Sequence, residues 1–145
     1  MRSLDCGSAV LTAEYGIRIG RWTQYPEAAK LPFDAMWCVV GPGSSSVRDC
    51  HPEVELAVVV TGRAEFEVEG AGTTAAPTGT AVLLDPQERH VIHNRSQTDP
   101  LTVLSIYWLP DGDTADEGAA DGNAADGDTA TGTAATGTAA DGGRS

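Results

Sequence analysis

Lysine is almost missing from this sequence: Lys30 stands alone against eight arginines, while Ala, Gly and Thr abound. That bias is the imprint of a GC-rich genome rather than of a function. The few bases are scattered and form no patch, which excludes an electrostatic footprint for nucleic acid. Nowhere do the roughly 18 consecutive apolar residues of a membrane span occur, and Met1 to Gly7 lacks the apolar stretch of a secretory signal. A cytoplasmic protein with no membrane partner is the expectation. Without a signal, the sequon Asn94-Arg95-Ser96 is a chance match. The three cysteines, Cys6, Cys38 and Cys50, are odd in number and show no C-x-x-C spacing. They suggest neither a disulfide framework nor a structural zinc knuckle.

The end of the chain lacks most. From Asp111 to Ser145 there is no aromatic residue and no Leu, Ile or Val. Such a segment cannot bury enough apolar surface to offset its ordering entropy, so a disordered acidic tail is expected. It holds −7 of the net charge of −12, leaving −5 on residues 1–110. The acidity of the chain is therefore largely a property of the tail.

Also absent is any sustained 3.6-residue apolar stripe, and what is present has period 2. Arg63 to Glu69 sets Ala64, Phe66 and Val68 on one face and Glu65, Glu67 and Glu69 on the other, the mark of a half-buried strand. Before it, Glu55 to Val60 is a β-branched apolar run, read as a strand covered on both faces. Gly62 between them predicts a tight hairpin turn. Further strands are expected at about Ile17–Thr23, Ala35–Val40, Thr73–Ala76, Thr80–Leu84, His90–Asn94 and Leu101–Trp108, with one helical turn at Tyr25–Lys30. Seven or eight short strands with regular turn signals predict an all-β sandwich or barrel.

Polar residues interrupt these strands in a pattern. Asp49 and His51 are two apart and share a strand face; Glu55 follows four residues after His51, and Gly62 seven after Glu55. Later, His90 follows eleven residues after Gly79, and Asn94 four after His90. These two groups resemble the paired motifs of the cupins: His-x-His, three or four residues, Glu, six residues, Gly; then Gly, five residues, Pro-x-Gly, two residues, His, three residues, Asn. The resemblance covers about Phe33 to Trp108. Asp49 stands where the first His of the pair is expected, Asp85 holds the usual Pro position, and Gln87 replaces the motif Gly.

The resemblance implies a double-stranded β-helix (cupin or jelly-roll) barrel in residues 33–110, an N-terminal segment 1–32 covering it, and the tail 111–145. It implies a metal site of His51, Glu55 and His90, with Asp49 either a fourth ligand or a general base. Two histidines and one or two carboxylates suit Fe(II) with open positions, and Zn(II), Mn(II) or Ni(II) are chemically acceptable. Cys50 and His93 have the wrong strand parity for the pocket; Cys50 is expected buried and inert, His93 at the surface or an interface. Asn94 is expected to be structural and Arg89 solvated, while Trp37, Phe66, Tyr107 and Trp108 are expected in core or pocket wall. Leu56, Val58 and Val60 make the outer face of their strand apolar as well, which implies cover by the N-terminal segment or by a second subunit, a homodimer.

The function these features imply is a metal-dependent enzyme acting on a small molecule, or a non-catalytic small-molecule-binding cupin. In addition, Pro32 to Trp108, including MWCVVGPGS, DCHPEVE, RHVIHNRS and LSIYW, is similar to the cupin module of bacterial hydrazine synthetases. That likeness implies a zinc cupin that joins two amino acids through an N–N bond beside a partner adenylating domain.

Overall fold

The structure, a computed structural model, describes residues 1–110; the tail expected to be disordered lies outside the described residues. Among the described residues nine strands form: β1 (Thr12–Glu14), β2 (Ile17–Arg21), β3 (Asp34–Val40), β4 (Val54–Thr61), β5 (Arg63–Val68), β6 (Gly72–Pro77), β7 (Ala81–Leu84), β8 (His90–Asn94) and β9 (Leu101–Trp108). They build a six-stranded sheet in the order β1-β2-β3-β9-β4-β7 and a three-stranded sheet in the order β6-β5-β8. Every pair is antiparallel. Helical structure among the described residues is limited to three short 3-10 turns, and no helix is long and apolar enough to cross a membrane.

The period-2 patterns decide which faces meet. Ala64 and Phe66 of β5 and Ala57 and Val59 of β4 are all at most 1% exposed, so each strand turns its alternate residues into one shared core. Burying Phe66 alone is worth about 2–3 kcal/mol. The hairpin expected at Gly62 does not form: β4 pairs with β9 and β7, whereas β5 pairs with β6 and β8. Only Gly62 separates the two strands, too little for a two-residue hairpin loop. The chain instead turns a corner there and crosses to the other sheet. Gly62 has φ +90°, and a Cβ on it would lie 3.3 Å from Leu101 Cα and from Pro100 O.

The first 32 residues contribute strands of their own. β1 and β2 extend the large sheet, joined by a two-residue turn in which Tyr15 (φ 50°) and Gly16 (φ 77°) are both left-handed, the turn type that suits a twisted hairpin. The 3-10 turn Trp22–Gln24 lies over β3, where the Trp22 and Trp37 rings stand 5.7 Å apart. Trp37 is buried, but on the outer side of its strand; Trp108, expected in the core or pocket wall, is 37% exposed at the end of β9. Leu56 and Val58 are half-buried on the outer face of β4, with Val60 and Leu83 more exposed beside them.

Between β3 and β4 the chain runs along the free edge of β8. Asp49 and His90 exchange backbone hydrogen bonds (2.9 and 3.0 Å), the Ser46 N–H donates to Ile92 O, and the Asn94 N–H donates to Ser44 O. This segment acts as a fourth strand of the small sheet and places Asp49 directly opposite His90.

Candidate metal centre

Glu55 is the first inward residue of β4, and His90 is the first residue of β8; they are 3% and 4% exposed. His51 comes from the loop just before β4, held by a hydrogen bond from the Gln87 N–H to its carbonyl (2.8 Å). Gln87 occupies the position where the motif has Gly and adopts φ 67°, the left-handed conformation in which glycine is favoured. Glu55 Oε2 lies 3.0 Å from His51 Nε2 and 3.8 Å from His90 Nε2. One ligand atom from each residue falls within 4.8 Å of the other two.

Both imidazoles are oriented from behind. His51 Nδ1 faces Glu53 O at 3.2 Å, and His90 Nδ1 faces Glu88 O at 2.9 Å. A carbonyl can only accept, so each Nδ1 carries the proton and each Nε2 turns toward Glu55. The three inward atoms are then acceptors facing one another, an arrangement that needs a cation between them. With metal–nitrogen and metal–oxygen distances of about 2.0–2.2 Å, neighbouring ligand atoms stand about 3–3.5 Å apart, close to the spacing seen here. The donor set therefore fits a divalent ion. A proton meets the same demand: the Glu55 carboxylate, first through its hydrogen bond, raises the His51 pKa against the effect of burial. Burial alone would raise the Glu55 pKa, but hydrogen bonds from His51 and Ser105 and the nearby imidazoles hold it below the usual carboxylate range.

The group sits in a pocket of about 160 Å³ with apolar walls that include Ile17, Ile19, Met36 and Ile92. Asp49 lines this pocket but stands outside the three-residue group. Its Oδ1 accepts the Cys50 N–H at 2.7 Å.

A family model for the cupin domain matches residues 36–107. Among solved structures, a Cupin 2 conserved barrel domain protein from Salinispora arenicola is 32% identical, over 74% of this chain and 87% of its own, with a TM-score of 0.63. The chain belongs to the cupin family. The plu4264 protein from Photorhabdus luminescens is 28% identical over 74% of this cupin and 86% of its own length, with a TM-score of 0.61. The polyketide cyclase RemF from Streptomyces resistomycificus shares the fold at 14% identity, with a TM-score of 0.60 over 74% of this chain and 78% of its own. A comparison with curated proteins finds no match.

The other sequence-derived candidates fall around the cupin pocket. Cys50 is directed away from it but is exposed, not buried, because its segment is the outermost strand of the small sheet; Sγ rests 3.4 Å from Gln87 Oε1. His93 is half-buried on the outer face of the small sheet, between Ser45 Oγ (2.7 Å) and Glu67 Oε2 (2.9 Å). Arg89 is exposed and pairs with Glu69 at 3.5 Å. Tyr107 and Glu53 line the pocket; Phe66 lies in the core.

Several residues escaped the sequence reading. Arg21, the only Lys or Arg side chain among the described residues that line the pocket, reaches Glu14 at 2.7 Å. The pair, together with the Thr12 hydroxyl, lowers the Glu14 pKa to about 2. A carboxylate lowered in the folded state stabilises the fold above its ordinary value of 4.5 and loses that contribution as pH falls toward 2. Carbon-detected NMR is expected to give a Glu14 carboxyl midpoint near 2; a midpoint near 4.5 means that the pair is open in solution. Ser105 also went unread, although a lone hydroxyl in the inward row Leu101, Val103, Ser105, Tyr107 was a usable signal.

Proposed function

We propose that this cupin is a metal-dependent enzyme acting on a small molecule, with His51, Glu55 and His90 as the metal ligands. The observation that carries this reading is that, among the described residues lining the pocket, His51, Glu55 and His90 converge on one point, since a three-ligand set leaves coordination positions for substrate. The donor set accepts Fe(II), Zn(II), Mn(II) or Ni(II). When bound, such an ion supplies a Lewis acid or, if it is iron, an oxygen-activating centre.

The chain's own residues set what enters. A cavity near 160 Å³ matches a ligand about the size of benzene, which fills an apolar cavity of about 150 Å³. The apolar walls exclude water from the bound molecule, and Arg21 and Tyr107 offer polar contacts in the same pocket. To Asp49 we assign the role of proton acceptor rather than ligand, because it lines the pocket but stands outside the three-residue group. A homodimer through the outer face of Leu56, Val58 and Leu83, and a cytoplasmic site consistent with three free cysteines, complete the proposal.

The test loads metal-free protein with Co(II) and follows its visible absorption while small acids, amino acids and sugars are added; oxygen uptake is measured in parallel after Fe(II) loading. A spectral change with one compound class, together with its turnover, is expected. Spectral change without turnover or oxygen uptake assigns a non-catalytic binding cupin. N–N coupling of an added amino acid to an N-oxygenated one, whose N–O bond breaks as the N–N bond forms, assigns the hydrazine-synthetase-like alternative.

A further inference from the structure

The two oxygens of Glu55 have different surroundings. Oε2 faces His51 and His90, whereas Oε1 accepts the Ser105 hydroxyl at 2.6 Å. Ser105 is fully buried, and its oxygen lies 3.6 Å from Cys38 Sγ, itself 1% exposed. A carboxylate can only accept, so the hydroxyl proton between Ser105 and Glu55 belongs to Ser105. The remaining lone pairs of Ser105 are then open to the Cys38 S–H. Burial pushes the Cys38 pKa up to about 12, which keeps that proton in place. The order of donation is fixed: thiol to hydroxyl, hydroxyl to carboxylate.

Topology builds this row. β9 lies between β3 and β4, with Met36 opposite Ser105 and Ser105 opposite Ala57. Cys38 and Glu55 are each two residues from those partners, so both are diagonal neighbours of Ser105 on the inward face, the separation that side chains can bridge.

We infer that Ser105, supported by Cys38, is a positioning residue that occupies Glu55 Oε1 and so leaves the carboxylate one oxygen, Oε2, for a metal ion. The inference rests on the reading of His51, Glu55 and His90 as ligands. Its consequence is that Glu55 ligates through a single atom, which keeps one more coordination position open than a two-oxygen mode allows. Partners behind a ligand typically change metal affinity by about 10–100-fold.

Calorimetric titration with Zn(II), visible spectra with Co(II) and metal-free melting curves test this on the full chain. Ser105→Ala is expected to bind Zn(II) about 10–100-fold more weakly, to show an altered Co(II) spectrum, and to stay folded when metal-free but melt below the wild type, because Glu55 Oε1 loses its partner. Ser105→Thr keeps the hydroxyl and is expected to restore affinity and spectrum. Cys38→Ala is expected to lose less than Ser105→Ala, and Cys38→Ser, which retains a donor, less still. Ser105→Ala with wild-type affinity and spectrum overturns the inference, as does a folded Ser105→Thr that rescues neither. If Ser105→Thr does not fold, the order of the two Cys38 variants decides. A wild type that binds neither ion overturns the metal reading itself.

Discussion

His90→Ala is expected to purify without metal under conditions in which the wild type holds close to one equivalent. The measurement is elemental analysis of protein purified without a metal-binding tag, with His51→Ala alongside. Structural zinc sites bind with about 10–16 kcal/mol; shared among three side chains, each contributes about 3–5 kcal/mol, or roughly 10²–10⁴ in affinity. Removing either imidazole takes away one ligand and also leaves Glu55, 3% exposed, with one neighbour fewer. The thermal behaviour gives a second reading of the same loss. An ion present at about 1,000 times its Kd adds about 4 kcal/mol to stability, which in a domain of this size raises Tm by roughly 15 °C or more. A chelator is therefore expected to lower Tm of the wild type and to leave Tm of His90→Ala unchanged. Full metal content in both alanine variants means that the ion sits elsewhere, and a wild type that stays metal-free after reconstitution with Fe(II), Zn(II), Mn(II) and Ni(II) removes the main support for an enzyme.

What the sequence made legible is local. The alternation of Ala64, Phe66 and Val68 announces which side of β5 is inward, and the same parity places Glu55, Ala57 and Val59 on the inner side of β4. The intervals around Glu55 and around His90 identify two halves of one site, and the structure brings them within 3.8 Å. What stayed hidden depends on which strands become neighbours. Nothing in the local pattern around Gly62 says that β4 and β5 enter different sheets; that follows only from the fit of both inward faces in one core. The role of Ser105 needs β9 inserted between β3 and β4, a relation spanning 67 residues in the contact with Cys38. β1 has three residues and no apolar alternation, and it exists because the turn at Tyr15 and Gly16 folds it onto β2. Cys50 shows the limit of parity: the alternation gave its direction, but its exposure depends on whether another segment covers the outer side of the stretch that runs along β8, and among the described residues none does.

Asn94→Ala is expected to cost about 3–5 kcal/mol of stability, in a protein whose total is about 5–15 kcal/mol. Asn94 is 2% exposed, and its Nδ2 lies within 3.1 Å of three carbonyls, those of Val40, Gly41 and Asp99. Its Oδ1 accepts the Ser96 N–H at 3.0 Å. One amide thus ties the end of β8 to the end of β3 and to the turn that leads into β9. Truncation strands several polar groups, some at buried sites, each at about 1–3 kcal/mol, and leaves a small cavity besides. Asn94→Asp keeps the acceptor but turns a carboxylate toward three carbonyl oxygens, and its loss is expected to be at least as large. Urea unfolding measures both, with metal content read on the same samples below their transitions. Because Asn94 acts on strand ends and His90 lies four residues away at the opposite end of β8, the variants that remain folded are expected to keep the ion. A loss of under about 0.5 kcal/mol, the range of an ordinary surface substitution, means that water replaces the amide without strain and that the three segments hold together by other contacts.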